Sequence, residues 1–344
     1  MSLHRKVLRL VTVAVVVIVL AEVGVRLLAP YLPEPKLYGD DSTAVKAAQL
    51  ERVGDTDRCA TVVVAGNSMA RDDFVPSSMA PGLDDGVVVY NAALDAASPD
   101  LLARWLPDHV LPSTDPDLVV IGLSSFDLND EARISRSALD SFSAAPLSRD
   151  DPFGDLQQPL VRHVALFRHR RELRDPVTVW SSLDRARRGV RESRPDPAGI
   201  AGVLDADGAG LSRRDLQYTA SPGSDTLLRR ELLNDFAIGG RQTSSLRRLL
   251  TDLGDSGVDV VLAVLPVTDD YIVAHPDGAA DHDRFLGLVD EIAAEADVTR
   301  LDLHDWAEVD DFADTHHLAG AAADRLSADL PSLLTEAGVA LPGC

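Results

Sequence analysis

Two short motifs far apart in this chain carry the residue types of acyl transfer. Ser68 stands in Gly66-Asn67-Ser68-Met69, and Asp314 and His317 stand in Asp314-Thr315-His316-His317-Leu318. A neutral serine hydroxyl is a weak nucleophile and needs an adjacent base, which His317 can supply. Asp314 lies three residues earlier, near enough on one turn to accept from His317 Nδ1 and fix the imidazole tautomer. Such a trio attacks an ester carbonyl, and the tetrahedral intermediate then needs hydrogen-bond donors around its oxyanion. Ser68, Ala96 and Ser124 are the expected donors, with Asn129, five residues past Ser124, as an alternative if its loop folds back. His316 could act as the base only if the register shifts by one, and the Asp-to-His spacing favours His317. Each signal also has a plain structural reading: Gly-x-Ser as a turn, Asp314 as a helix-capping acid, His317 as a surface histidine.

What joins these residues is the element each one follows. Apolar, β-branched runs occur at Thr61–Ala65, Val87–Tyr90, Leu118–Leu123, Val258–Leu265 and Val298–Leu303. Unbroken runs of that kind suit strands buried on both faces of a parallel sheet. Helical periodicity separates several of them, most clearly over Leu227–Leu253, His282–Ala296 and Ala321–Glu336. The alternation predicts an α/β chain: an open parallel sheet with helices on both faces. In such sheets ligands bind beyond the carboxyl ends of the strands. Ser68 follows the first run, Ala96 the second, Ser124 the third, and Asp314 and His317 come after the last. A nucleophile, a base and a carboxylate therefore fall on one rim.

On these blocks the chain resembles the SGNH/GDSL hydrolase superfamily, and most of all its membrane-anchored extracytoplasmic branch. The likeness covers about residues 60–130 and 245–335. Gly66-Asn67-Ser68 matches the Gly-Asp-Ser block and Asp314-Thr315-His316-His317-Leu318 the Asp-x-x-His-Leu block. The resemblance implies a flavodoxin-like sheet and a Ser68–His317–Asp314 triad, with no metal and no cofactor. Two departures concern the oxyanion hole. Ala96 stands where the family has a glycine, which spares the backbone N–H. Ser124 stands where the family has an asparagine, and one lost donor can cost ~10²–10³ in rate. The function expected is a serine esterase or O-acyltransferase acting on acyl esters of small molecules, cell-envelope glycans or lipids. The alternative is a catalytically impaired envelope protein that binds glycan or acyl groups.

Residues 10–29 are uncharged but for Glu22 and Arg26, which sit four apart in the favoured acid-first order for pairing on a helix. Twenty such residues suffice to cross ~30 Å of hydrocarbon. Arg5, Lys6 and Arg9 before the run and an acidic chain after it predict the N-terminus inside and the body extracytoplasmic. A cleaved signal peptide, which would leave the body secreted, is the competing reading. The expected layout is an anchor at 1–30, a stalk with at most one short helix at 31–58, and a catalytic domain at 59–344. That domain carries a mainly helical insertion at about 131–225, including amphipathic pieces at Leu160–Arg174 and Val177–Arg191. Cys59 and Cys344 would form a disulfide in an oxidising compartment, although spacing alone does not show that they meet. The net charge of −22 argues against nucleic acid. The arginines from Arg162 to Arg194 form a basic island, either a solvated helix face or a docking surface for an anionic glycan or lipid headgroup. His163, His169, His275 and His282 show no ligand spacing with each other or with the cysteines.

Overall fold

The computed structural model describes residues 3–33, 35, 37–145, 160, 161, 163–192, 196, 198–200, 202–219 and 226–344. The chain divides into two compact units, one of residues 1–41 and 143–195, the other of residues 42–142 and 196–344.

In the second unit five strands form one parallel sheet: β1 Ala60–Gly66, β2 Val87–Asn91, β3 Leu118–Leu123, β4 Asp259–Val264 and β5 Thr299–Asp302. Their order is β2-β1-β3-β4-β5, the flavodoxin-like arrangement, with the switch point between β1 and β3. All five apolar runs become strands, and β1 and β3 are buried along their whole length because helices cover both faces.

The helices of the chain include, in chain order, α1 Leu3–Leu28, α2 Asp41–Gly54, α3 Ser68–Asp73, α4 Pro99–Trp105, α5 Pro176–Arg188, α6 Arg241–Asp255, α7 Ala279–Ala296 and α8 Gly320–Glu336. On one face of the sheet α4 packs on α6 and β1, and α7 packs on α6, β4 and β5. On the other, Met69, Ala70 and Phe74 join Leu326, Leu330 and Leu334 of α8 over Val62, Val64, Val120 and Ala263. Those leucines repeat every fourth residue, so α8 buries a single stripe, and truncating Leu326 to alanine would cost roughly 2–5 kcal/mol.

The periodic stretch Leu227–Leu253 is not one helix. A π-helical turn at Leu228–Leu232 is separated from α6 by the Gly239-Gly240 pair, and glycines of that kind interrupt a helix. Within residues 31–58, α2 buries Val45, Lys46, Gln49 and Leu50. Lys46 Nζ donates to the carbonyls of Asn91 and Gly208, 2.6 Å to each. Cys59, just ahead of β1, is disulfide-bonded to Cys344 (Cα–Cα 5.5 Å).

The first unit contains α1, a short helix at Ala165–Arg168 and α5. Arg9–Tyr31 is a 23-residue stretch long and apolar enough to cross a membrane. Of the basic island, Arg162 and Arg194 lie outside the described residues. The amphipathic pieces expected at Leu160–Arg174 and Val177–Arg191 correspond to Ala165–Arg168 with a 3₁₀ turn at Glu172–Arg174, and to α5.

Candidate active site

β1 ends at Gly66, which pairs in register with Gly122 of β3. A Cβ at Gly66 would lie 2.7 Å from the Ala70 Cβ, and one at Gly122 would lie 2.8 Å from it. Gly66 also has φ of +142°, a region L side chains rarely adopt. The two glycines therefore let the first turn of α3 settle onto the carboxyl edge of the sheet. Asn67 caps that helix: its Oδ1 accepts from Met69 N at 2.6 Å. Ser68 is thereby held half-buried at the start of α3, directly beyond β1.

The returning loop supplies the other two residues. Ala313 N–H donates to His317 O (2.8 Å), and Phe312 and Leu318 form an antiparallel bridge, so 312–318 closes on itself. Leu318 N–H donates to Asp73 Oδ1 of α3 at 2.9 Å, tying this loop to the nucleophile's own helix. Burial pushes the Asp73 carboxyl well above the usual carboxylate range, the Leu318 N–H bond pulling the other way. Thr268 fixes the loop from β4's side, its Oγ1 donating to Thr315 O at 2.9 Å.

The result is a continuous relay. Ser68 Oγ lies 2.9 Å from His317 Nε2, and His317 Nδ1 lies 2.9 Å from each oxygen of Asp314. With Asp314 accepting from Nδ1–H, Nε2 is left as the acceptor for the Ser68 hydroxyl. Burial raises the Asp314 carboxyl, but the hydrogen bond from His317, the positive potential of that ring and the His316 N–H together hold it far below the ordinary range. Asp314 is therefore an anion at any working pH. His316 lies apart from Ser68: its Nδ1 meets Thr315 Oγ1 at 2.9 Å and its ring packs on Phe126 and Tyr271. Burial first, then the His317 charge, pushes His316 down to about 3, so it stays neutral.

The expected oxyanion donors divide. Leu94 N–H donates to Gly66 O at 3.0 Å, which brings the turn after β2 alongside the end of β1. Ala96 there has φ of +51°, the left-handed backbone that suits glycine. Ser124 is already committed. Its N–H and its hydroxyl both donate to Asp127 Oδ2, at 2.7 and 2.9 Å, so neither proton serves an oxyanion. Asn129 is tied away as well, donating to Leu232 O at 2.8 Å and accepting from Ala237 N at 3.0 Å. The loop does not fold back, because Asn129 satisfies the backbone of the 232–237 turn.

Two contributors have no role assigned by the motifs. Asn67 Nδ2 donates to both oxygens of Asp127 at 2.8 and 2.7 Å, bracing the nucleophile's turn against the end of β3. Burial nevertheless raises the Asp127 carboxyl to about 7, the Asn67 and Ser124 bonds pulling the other way. Arg213, in the second half of the insertion, places Nε 3.3 Å from Asp314 Oδ2 and Nη1 2.6 Å from Asp72 Oδ2. Asp314, His316 and His317 offer possible metal-ligand atoms within 4.8 Å of one another. Asp314 and His317 already bond each other, His317 Nε2 faces Ser68, and His316 Nδ1 meets Thr315 Oγ1, so atoms of all three residues are engaged by protein partners.

No family model matches the chain, and no curated protein matches it in sequence. Among solved structures it is similar to TesA (13% identity, TM-score 0.39, 80% of this chain and 99% of that one). It is also similar to the acetyl xylan esterase AlAXEase (12%, 0.39, 81% and 100%). A catalytic mutant of an acetylxylan esterase from Geobacillus stearothermophilus is a further neighbour (10%, 0.39, 83% and 97%). Likeness at that level decides neither substrate nor activity.

Proposed function

We propose that the chain is a serine esterase or O-acyltransferase of the SGNH/GDSL type, working through Ser68, His317 and Asp314. The observation that carries this reading is the unbroken Ser68–His317–Asp314 relay, with 2.9 Å at each step. Ser68 Oγ attacks the acyl carbonyl as His317 Nε2 takes its proton, and the carbonyl π pair moves onto oxygen. Collapse of the intermediate breaks the bond to the leaving alkoxide, which receives the proton from Nε2. The acyl-enzyme then passes to water or to a second hydroxyl by the reverse sequence, with His317 again the base. Asp314 keeps the imidazole in the required tautomer and stabilises the imidazolium. The N–H groups of Ser68 and Ala96 are the oxyanion donors in this scheme, two rather than three.

The apolar Arg9–Tyr31 stretch supports a membrane anchor with the body extracytoplasmic, and the Cys59–Cys344 bond agrees with an oxidising compartment. In that setting the acyl donor or acceptor is a cell-envelope glycan or lipid. A second reading, an impaired enzyme that binds acyl or glycan groups, draws on Ser124 having no donor to spare. Labelling of the full chain with a fluorophosphonate separates the two. Labelling lost in both Ser68→Ala and His317→Ala supports catalysis, and a folded wild type that does not label supports the binding protein.

A further inference from the structure

The first unit contains a helix whose polarity is inside out for a protein facing water. In α5 the fully buried position is Ser182, while Trp180 is 73% and Val177 75% exposed and Leu183 is exposed as well. Ser182 Oγ donates to Thr178 O, and Arg185, half-buried, donates from Nε to Tyr31 O at 3.0 Å. Small and polar groups thus face the unit's interior and the bulky apolar ones face out. Val177, Trp180, Asp184 and Arg187 follow one another at three- and four-residue steps, so they share a face of α5, and Arg188 and Arg191 lie at and just past its C-terminal end. That face is apolar over its first turns and basic at its end, where Arg187, Arg188 and Arg191 are exposed. A groove of about 470 Å³ opens along it, lined by Trp180, Leu183, Asp184, Ala186 and Arg187.

The depth of this helix follows from what its segment is bonded to. Glu22 of α1 accepts from Ala165 N and Leu166 N, 2.9 Å each, and pairs with Arg26 at 2.7 Å. Arg26 Nη2 in turn donates to His163 O at 2.7 Å, and Glu192 N donates to Pro30 O at 2.9 Å. Residues 163–192 are therefore stapled along residues 22–31, the last ~13 Å of the apolar stretch. If α1 spans a bilayer, that is the depth where hydrocarbon gives way to headgroups. The same bonds satisfy the two charges that interrupt the apolar run, which would otherwise be costly in hydrocarbon.

We propose that α5 is an interfacial helix that seats this unit on the surface of an anionic phospholipid bilayer. Val177, Trp180 and Leu183 enter the boundary between headgroups and acyl chains, and Arg187, Arg188 and Arg191 meet the phosphates. Tryptophan with arginine is the pairing that such a surface selects. Charge complementarity is strong: residues 160–192 hold nine arginines against four acids in a chain whose net charge is −22. The proposal rests on reading α1 as a membrane span.

The test uses the full-length chain in vesicles of phosphatidylcholine, alone or mixed with phosphatidylglycerol. Flotation at high salt reports the α1 span. Quenching of tryptophan emission by brominated lipid, taken as the difference between wild type and Trp180→Phe, reports α5 alone; Trp105 and Trp306 cancel. The expected result is flotation together with blue-shifted, lipid-quenched Trp180 emission. Replacing Arg187, Arg188 and Arg191 by alanine is expected to lower the docked-to-undocked ratio about 10²-fold in the anionic vesicles. A chain that floats while Trp180 stays quenchable by iodide and not by brominated lipid overturns the docking and leaves the span intact. A chain that does not float overturns the span and the docking with it.

Discussion

Arg213 Nε lies 3.3 Å from Asp314 Oδ2, while Nη1 of the same guanidinium holds Asp72 at 2.6 Å. One cation from the insertion thus bridges the carboxylate of the relay and a carboxylate of the nucleophile's own helix, where Arg71 holds the other Asp72 oxygen at 2.7 Å. A cation there disfavours protonation of the relay. Arg213→Met is therefore expected to move the acid limb of kcat/KM upward by about 1 pH unit. Arg213→Lys should restore most of the wild-type profile. A merely structural Arg213 would lower the whole profile without moving its limb.

Loss of Ser68 or His317 is expected to lower ester hydrolysis about 10⁴-fold and to abolish phosphonate labelling. Asp314→Asn should cost a similar factor in kcat, because the amide cannot enforce the tautomer that leaves Nε2 free to accept. Circular dichroism of each variant separates this loss from misfolding. An Asp314→Asn enzyme at wild-type rate would sink the relay as drawn.

Ala96 holds a left-handed backbone at a cost of about 1 kcal/mol or more. Ala96→Gly keeps the N–H and removes the strain, offset in part by the greater freedom of glycine in the unfolded chain. The urea midpoint is expected to rise by the equivalent of about 0.5–1 kcal/mol with hydrolysis unimpaired. A lower midpoint would contradict the strain assigned to this turn.

Lys46 is one of only three lysines in the chain, and burial first, then the charge of Arg71, lowers its ammonium to about 7. The unfolded lysine titrates near 10.4, so between about pH 7 and 10 the unfolded state binds the extra proton. Stability contributed by this group consequently rises with pH across that window and is lost as pH falls through about 7. Denaturant titrations of wild type and Lys46→Met should diverge in slope over pH 7–10, the variant being the flatter. Parallel curves would mean that Lys46 keeps its ordinary affinity for the proton.

The Cys59–Cys344 bond closes a loop of 285 residues. Cys344→Ser is expected to lower unfolding free energy by about 2–4 kcal/mol. The check is urea unfolding of the variant beside wild type with and without reductant, which should move only the wild type.

The sheet was legible because its strands are buried on both faces: Leu118–Leu123 appears in the sequence as an unbroken apolar run and has the same bounds in the structure. The candidate site was legible as far as its residues sit next to strand ends or share one turn, which holds for Ser68, Asp314 and His317. Ser124 reads as a donor in the sequence because position along the chain says where a hydroxyl lies, not what it already bonds; Asp127, three residues on, takes both of its protons. Arg213 was out of reach because the insertion has no periodicity linking it to a strand end. The break in Leu227–Leu253 was available in Gly239-Gly240, and leucine spacing on either side concealed it.

The Gly66–Gly122 pair sets a dimension. Each of these positions faces the same methyl, that of Ala70, at a distance where an added carbon overlaps it. The height of the serine oxygen above the sheet is thus governed by two absent side chains and one small one, acting as a single spacer. Enlarging any of the three lifts the first turn of α3, and enlarging a second adds to the lift, since all three crowd the same gap. A chain that altered one of them could keep the nucleophile within reach of His317 only if the 312–318 loop shifted with it. Asp73 couples the two movements, because its bond to Leu318 N makes that loop travel with the helix.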